Sequence, residues 1–307
     1  MLGGSTVVVR PSSITACIVE RIFEILGPSI KALPIELASC SGSQFIERVV
    51  DDADIQTLLF TGSFPNLSRL QPILPNSKRL IYCGSGINPF IVGKDCLKYL
   101  TFQEIASTIV KSRIYNSGQD CLCSERILIA ESVADDFIDV LTENVRQICV
   151  GEYRDHRADV VPLLGNIADS VAAQVSKVHS DQNWLVPFKR EGSLIHPSLV
   201  ELSLADPLLN AEKFAPVFTI ARYSDDTELT KSLTSKYRFG ATVIGSYNST
   251  VLSQFPHISR LQTVIEDEAE DCHVPFGGCG RSGFVRNGLE TKDGPILYSI
   301  ETTDTHN

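Results

Sequence analysis

Short apolar runs rich in β-branched residues alternate along this chain with longer stretches whose apolar side chains recur every three or four positions. That alternation limits the fold more than any other property. Residues 6–9, 35–38, 57–60, 80–82 and 90–92 read as strands, with helices over 14–26, 44–50 and 102–114 among them. The second half keeps the rhythm, with a helix over 133–149, capped by Ser132, and strands at 126–130, 199–202, 217–221 and 241–244. Strands joined through helices of this length run parallel, and a parallel sheet is covered on both faces, so the chain reads as an α/β protein. Residues 6–9 read as a buried-type strand that needs a neighbour on each side, so either they form an edge or a covering element is missing. Ser12 or Ser13 caps the helix that follows. Its Ile14, Cys17, Ile18, Ile22 and Leu26 share one face, and Gly27-Pro28 ends it. A chain of 307 residues can form two lobes. The turn Gly84-Ser85-Gly86, just before Asn88-Pro89, sets their division near residue 87.

The segment Asn116-Ser117-Gly118-Gln119-Asp120-Cys121 carries the chemistry. It puts a thiol just past a glycine turn, between a helix and a strand, where a cleft can reach it and several backbone N–H groups lie close. A nucleophilic cysteine needs both, because the thiolate is its reactive form and fixed donors must steady the oxyanion it creates. A lone cysteine is more often structural, so the weight of this one rests on its surroundings. The nine cysteines accompany an N-terminus, Met1-Leu2-Gly3-Gly4-Ser5, with no export signal, and read as reduced thiols of a cytoplasmic protein. A net charge of −10 argues against a nucleic-acid or anionic-membrane surface. The apolar runs are too short to span a bilayer. Cys121-x-Cys123 and Cys272-His273 with Cys279 hold ligand atoms for zinc but lack Cys-x-x-Cys spacing, so no metal is expected.

Five stretches, in order, resemble motifs of the NAD(P)-dependent aldehyde dehydrogenases. Thr6-Val7-Val8-Val9-Arg10-Pro11-Ser12-Ser13 resembles that family's strand ending in Lys-Pro-Ser-Glu, and Phe60-Thr61-Gly62-Ser63 its Phe-Thr-Gly-Ser turn. Asn116 to Cys121 resembles Asn-x-Gly-Gln-x-Cys, and Glu212-Lys213-Phe214-Ala215-Pro216-Val217 resembles Glu-x-Phe-Gly-Pro-Val. Pro275-Phe276-Gly277-Gly278-Cys279-Gly280-Arg281-Ser282-Gly283 resembles Pro-Phe-Gly-Gly-x-x-x-Ser-Gly. The likeness covers almost the whole chain and begins partway into the family's cofactor domain. It implies a partial Rossmann-type cofactor lobe over 1–87, an α/β catalytic lobe over 88–288 and a C-terminal strand and oligomerisation tail over 289–307. It also implies that Cys121 attacks a small-molecule aldehyde and that hydride passes to NAD or NADP. Glu212 would hold the nicotinamide ribose, with Phe214 against the nicotinamide. Ser63, beside Gly62, would face the pyrophosphate at a helix N-terminus. Arg10 would replace the lysine that meets the adenosine ribose, with Ser12 close by. The tail implies a homo-oligomer or pairing with a full-length relative.

The departures from the family pattern matter as much. Cys83 stands where the family has the glutamate that activates the hydrolytic water, and a thiol of ordinary pKa ~8.5 is a weak substitute. Ser13 replaces a ribose-binding glutamate, which leaves NADP open beside NAD, and Phe64-Pro65 departs from the usual helix start. The asparagine that completes the family's oxyanion hole belongs to a segment expected to be missing here. Three functions stay open: a shortened dehydrogenase, a non-catalytic homologue serving as a structural or binding subunit, and a reductase that passes an acyl thioester to another thiol.

Overall fold

A computed structural model describes residues 5–164, 166–177, 184–233, 236–247, 249–253, 255, 257–260, 279–291 and 294–298. Cys272, His273, residues 275–278 of the last glycine motif and the end of the C-terminal run lie outside the described residues. The chain divides into two compact units, one of Met1–Leu58, Ser68–Leu80 and Asn287–Ile296, the other of Leu59–Leu67, Ile81–Arg286 and Leu297–Asn307. The turn at residues 84–86 lies inside the second unit.

In the first unit β1 (Val7–Val9) pairs in parallel with β2 (Ile35–Leu37), Val7 facing Ile35. β1 is not the buried strand expected: Val7 is 36% exposed, and β2 is its one ladder partner among the described residues. Helix α1 (Ala16–Ile25) begins two residues late, after a turn in which the Ile14 N–H donates to Ser12 Oγ at 3.3 Å. The helix carries the expected apolar face but does not bury it, since Ile14, Ile18, Ile22 and Leu26 are 45–59% exposed. A ladder of three residues per strand offers too little surface to cover such a stripe. Gly27-Pro28 does not stop the chain's helical course. It starts α2 (Gly27–Lys31), whose first turn tolerates proline because that N–H has no partner anyway. α3 (Gly42–Asp51) is set by a reciprocal cap in which the Gln44 N–H donates to Ser41 Oγ and the Ser41 N–H to Gln44 Oε1 at 3.0 Å.

β3 (Thr57–Thr61), α4 (Phe64–Leu70) and β4 (Arg79–Cys83) come next in the chain, and the second unit holds a seven-stranded sheet drawn from residues 88–260. Its order is His257–Arg260, Gly240–Ile244, β5 (Asn88–Val92), β6 (Ser124–Ala130), Val217–Tyr223, Ser198–Glu201 and Trp184–Val186. Every pairing is parallel except the last. Alternation along β5 and β6 feeds two cores. Phe90, Val92, Ile127 and Ile129 point to one face, under α5 (Phe102–Ile114) and α6 (Ala134–Arg146). Ile91, Leu128 and Ala130 point to the other, with Val171 and Val175 of α7 (Ile167–Val175). α5 matches the expected helix, fixed by Thr101 and Glu104 capping each other. α6 is shorter than expected: a 3₁₀ turn, Glu131–Val133, precedes it, and Ser132 supplies no cap.

Candidate active site

α5 and β6 are joined by a junction held in an uncommon backbone state. Asn116, Ser117 and Gly118 all have positive φ, at 48°, 57° and 80°. For non-glycine residues this costs about 1–2 kcal/mol each and persists only where the surroundings impose it. Here Asn116 Nδ2 donates to the Gln119 carbonyl at 3.1 Å, and Ser117 Oγ accepts the Val161 N–H at 3.0 Å. A Cβ on Gly118 would lie 2.6 Å from the Ala215 carbonyl carbon, so only glycine fits. The turn delivers Cys121 half-buried, at the start of a loop tightened by the Leu122 N–H donating to Asp120 Oδ1 at 2.7 Å.

Burial pushes the Cys121 thiol up to about 12, helped by the charges of Asp120 and Glu212, while the residue's own N–H opposes the shift. The resting side chain is therefore a thiol, not the thiolate, and a base has to take its proton. Cys83, last residue of β4, is buried, and burial pushes its thiol up as well. Its carbonyl accepts the Gly62 N–H at 3.1 Å. The turn after it presses against the Cys121 loop: a Cβ on Gly86 would lie 2.1 Å from the Cys121 carbonyl oxygen. Asn88 Nδ2 donates to that same oxygen at 2.8 Å and to the Cys123 carbonyl at 3.1 Å, and its Oδ1 accepts the Gly240 N–H at 3.1 Å.

Glu212 closes the cluster. Its Oε1 accepts the Gly86 N–H at 3.1 Å, and the Ser85 hydroxyl is a second donor. Burial lifts this carboxylate to about 7, and its two hydrogen bonds only partly oppose the rise. Two residues on, Phe214 also has positive φ, 54°. A buried clamp holds this loop. Glu125 on β6 accepts the Lys213 N–H at 3.0 Å and the Phe214 N–H at 3.3 Å, and pairs with Arg113 at 2.8 Å and the Lys213 ammonium at 3.2 Å. Arg113, from the last turn of α5, donates to the Ala215 carbonyl. All three charged groups are no more than 1% exposed. Two cations share one carboxylate, and the ammonium yields: burial pulls Lys213 down to about 8, and Arg113 adds to the push.

Cys121, Cys83, Glu212, Phe214, Gly62 and Ser63 thus belong to one unit, with Cys121, Glu212 and the Cys83 turn brought together. Arg10 and Ser12 belong to the other. Arg10 Nε donates to the Cys40 carbonyl at 3.3 Å, and Ser12 Oγ takes part in the turn ahead of α1. Ser63 opens a helix of only seven residues, and Pro65 removes one of its N–H donors. The Arg281 guanidinium stands 4.5 Å over the Phe64 ring beside it. Sequence reasoning missed Asn88, Ser85, Arg281 and the Arg113–Glu125–Lys213 clamp. The available signal was ionisable residues at positions whose neighbours are all core.

Comparison with known families matches residues 1–293 to the Aldehyde dehydrogenase family. A lactaldehyde dehydrogenase of Methanococcus aeolicus is 27% identical over 297 residues, covering 94% of this chain and 63% of that protein. A 2-aminomuconic semialdehyde dehydrogenase of Bos taurus is 25% identical, covering 94% and 62%. Among solved structures, glyceraldehyde-3-phosphate dehydrogenase GapN from Methanocaldococcus jannaschii, complexed with NADP, superposes with a TM-score of 0.78 at 22% identity over 97% of this chain and 66% of that one. Lactaldehyde dehydrogenase from Escherichia coli gives 0.78 at 18% identity, over 97% and 65%. The chain thus spans just under two thirds of these curated relatives.

Proposed function

This chain belongs to the aldehyde dehydrogenase family, and from that membership we propose that it oxidises a small-molecule aldehyde through a covalent intermediate on Cys121, with NAD or NADP as hydride acceptor. Cys121 Sγ attacks the aldehyde carbon, a C–S bond forms, and the carbonyl π pair moves to oxygen. The Cys121 N–H, turned toward its own sulfur, is the donor we assign to that oxyanion. A bound nicotinamide supplies the hydride sink. What the chain itself provides is a carboxylate, Glu212, suited to a ribose hydroxyl pair, and Phe214 for the flat ring. At the pyrophosphate end the fit differs from the family pattern. The Gly62 N–H is already given to Cys83, so the cation Arg281 beside Phe64 carries more of the anion-binding task than Ser63. Arg10 and Ser12 are the remaining candidates for the adenosine end. Seven described cysteines are free thiols, which suits a reducing compartment, the cytoplasm. Assembly with a second copy or with a full-length relative is part of the same proposal.

The observation that carries this reading is the convergence of Cys121 and Glu212 on the Gly86 turn. A specific observation favours a second reading, a non-catalytic binding subunit: Cys83, which the family resemblance aligns with the hydrolytic base, is buried, and burial pushes its thiol up. If no base acts, the acyl group could instead leave to another thiol. Purified protein offered short aldehydes with NAD or NADP, followed by reduced-nicotinamide absorbance and with Cys121→Ser as control, decides between them. Turnover that disappears in the variant supports the dehydrogenase, and no turnover with any pair supports the subunit.

A further inference from the structure

Cys83 cannot take a proton at neutral pH, whereas the Glu212 carboxylate of the same cluster can. Resting on the assignment of Cys121 as nucleophile, we infer that Glu212 is the general base of this protein, accepting the Cys121 proton and later that of the water that hydrolyses the thioester. Three observations support it. The carboxylate is tied to the Gly86 N–H, and Gly86 in turn lies against the Cys121 carbonyl, so nucleophile and acceptor share one turn. No cation neutralises it: among the described residues the nearby guanidinium of Arg113 is committed to Glu125 and the Ala215 carbonyl, and the Lys213 ammonium to Glu125, Leu208 and Thr219. Its proton affinity, near neutrality, is that of an efficient base at physiological pH.

The groups facing Glu212 are few. Glu125 on β6 raises its pKa and Arg113 on α5 lowers it. The Cys121 thiol and the Tyr82 phenol feel its charge, and the Gln174 side chain of α7 donates to its backbone carbonyl at 3.4 Å. The balance of the chemistry is as follows. Proton transfer from Sγ–H to the carboxylate accompanies C–S bond formation. Once hydride transfer has given the thioester and Glu212 has released its first proton to solvent, water attacks the thioester carbon and its proton goes to the freed Glu212 carboxylate. The C–S bond then breaks and Cys121 leaves as thiolate, which takes the proton from Glu212 and returns both groups to their resting state. The products are carboxylate, reduced nicotinamide and protons released to solvent.

Glu212 is also proposed to hold ribose, so the test must run without cofactor. An activated ester, p-nitrophenyl acetate, acylates a nucleophilic cysteine and is hydrolysed from it with no redox step. The wild-type chain should release nitrophenolate in a burst followed by steady turnover whose rate rises through an inflection near pH 7. Glu212→Gln should lower steady turnover about 100-fold or more, remove that inflection and let acetyl-Cys121 accumulate in intact-mass spectra. Glu212→Asp, which keeps a carboxylate, should recover part of the rate. Turnover and pH profile unchanged in a folded Glu212→Gln protein would overturn the inference while leaving the nucleophile in place. A burst missing from the wild type, or surviving in Cys121→Ser, would overturn the nucleophile assignment itself.

Discussion

Glu125→Gln isolates what the buried clamp contributes. The wild-type carboxylate is the anion facing two cations, Arg113 at 2.8 Å and Lys213 at 3.2 Å, all of them at most 1% exposed. Glutamine keeps the size but loses the charge, and its NH₂ must face either the Phe214 N–H and the guanidinium or the Lys213 N–H and the ammonium, donor against donor. Stranding buried cations in this way costs about 3–5 kcal/mol. For a unit of this size that is a fall in Tm of roughly 6–20 °C. The loss should depend on pH in a definite sense. Lys213 has a folded pKa of about 8, below its unfolded value of ~10.4, so its burial costs stability below pH 8, and the cost fades as pH rises toward 10.4. Removing the Glu125 charge, which raises the Lys213 pKa, moves that window lower, so the variant should lose less at pH 9 than at pH 7. Urea unfolding followed by the fluorescence of Trp184, which lies in the same unit, measures both differences. An apolar triple, Arg113→Met with Glu125→Leu and Lys213→Met, should recover wild-type stability or exceed it, because the desolvation cost disappears with the charges. A Glu125→Gln midpoint within about 1 kcal/mol of wild type at pH 7 would refute the clamp as a charge-balanced device.

Three further outcomes follow from the same geometry. Gly118→Ala forces a Cβ to 2.6 Å from backbone at a φ of 80°. It should cost about 2–3 kcal/mol in denaturant unfolding and suppress Cys121 alkylation, since the strained turn has to relax. Asn88→Ala leaves the Cys121 and Cys123 carbonyls and the Gly240 N–H without their buried partner, an expected loss of about 2–4 kcal/mol by thermal unfolding. Asp120→Asn removes a charge that pushes Cys121 up toward 12 and should lower that pKa by about one unit. Iodoacetamide alkylation at pH 8 would then run roughly ten times faster, and an unchanged rate would show that burial alone sets the thiol.

How much of this was legible in the sequence depends on whether local pattern or distant packing decides each feature. β5, β6 and α5 were readable because period-two apolar runs and a Thr–Glu cap are local signals that the two cores reinforce. α1 was misjudged for the opposite reason. An apolar stripe says which face wants cover but not whether cover exists, and Ile18 stands 59% exposed. Proline at 28 was read as a stop because breakers are read by type, whereas its effect depends on which turn of which helix it enters. The segment before Cys121 was legible because left-handed backbone favours Asn and Gly, and Asn116 and Gly118, on either side of Ser117, stand out in the sequence.

The clamp escaped notice because charge balance between residues 113, 125 and 213 is invisible until folding brings them together, each looking like a surface residue on its own. A similarly long stretch of sequence separates Cys121 from Glu212, and there the consequence is chemical. A family motif marks both residues, yet a motif fixes residue type and not protonation state. Cys121 arrives as a thiol held near 12, Glu212 as a carboxylate held near 7, and Cys83 as a group that cannot accept a proton from either. At neutral pH such a set turns over only if the carboxylate does the proton work. On the proposal that Glu212 is the base, a carboxylate near neutrality close to a thiol that needs one is what would separate a working enzyme from a binding subunit.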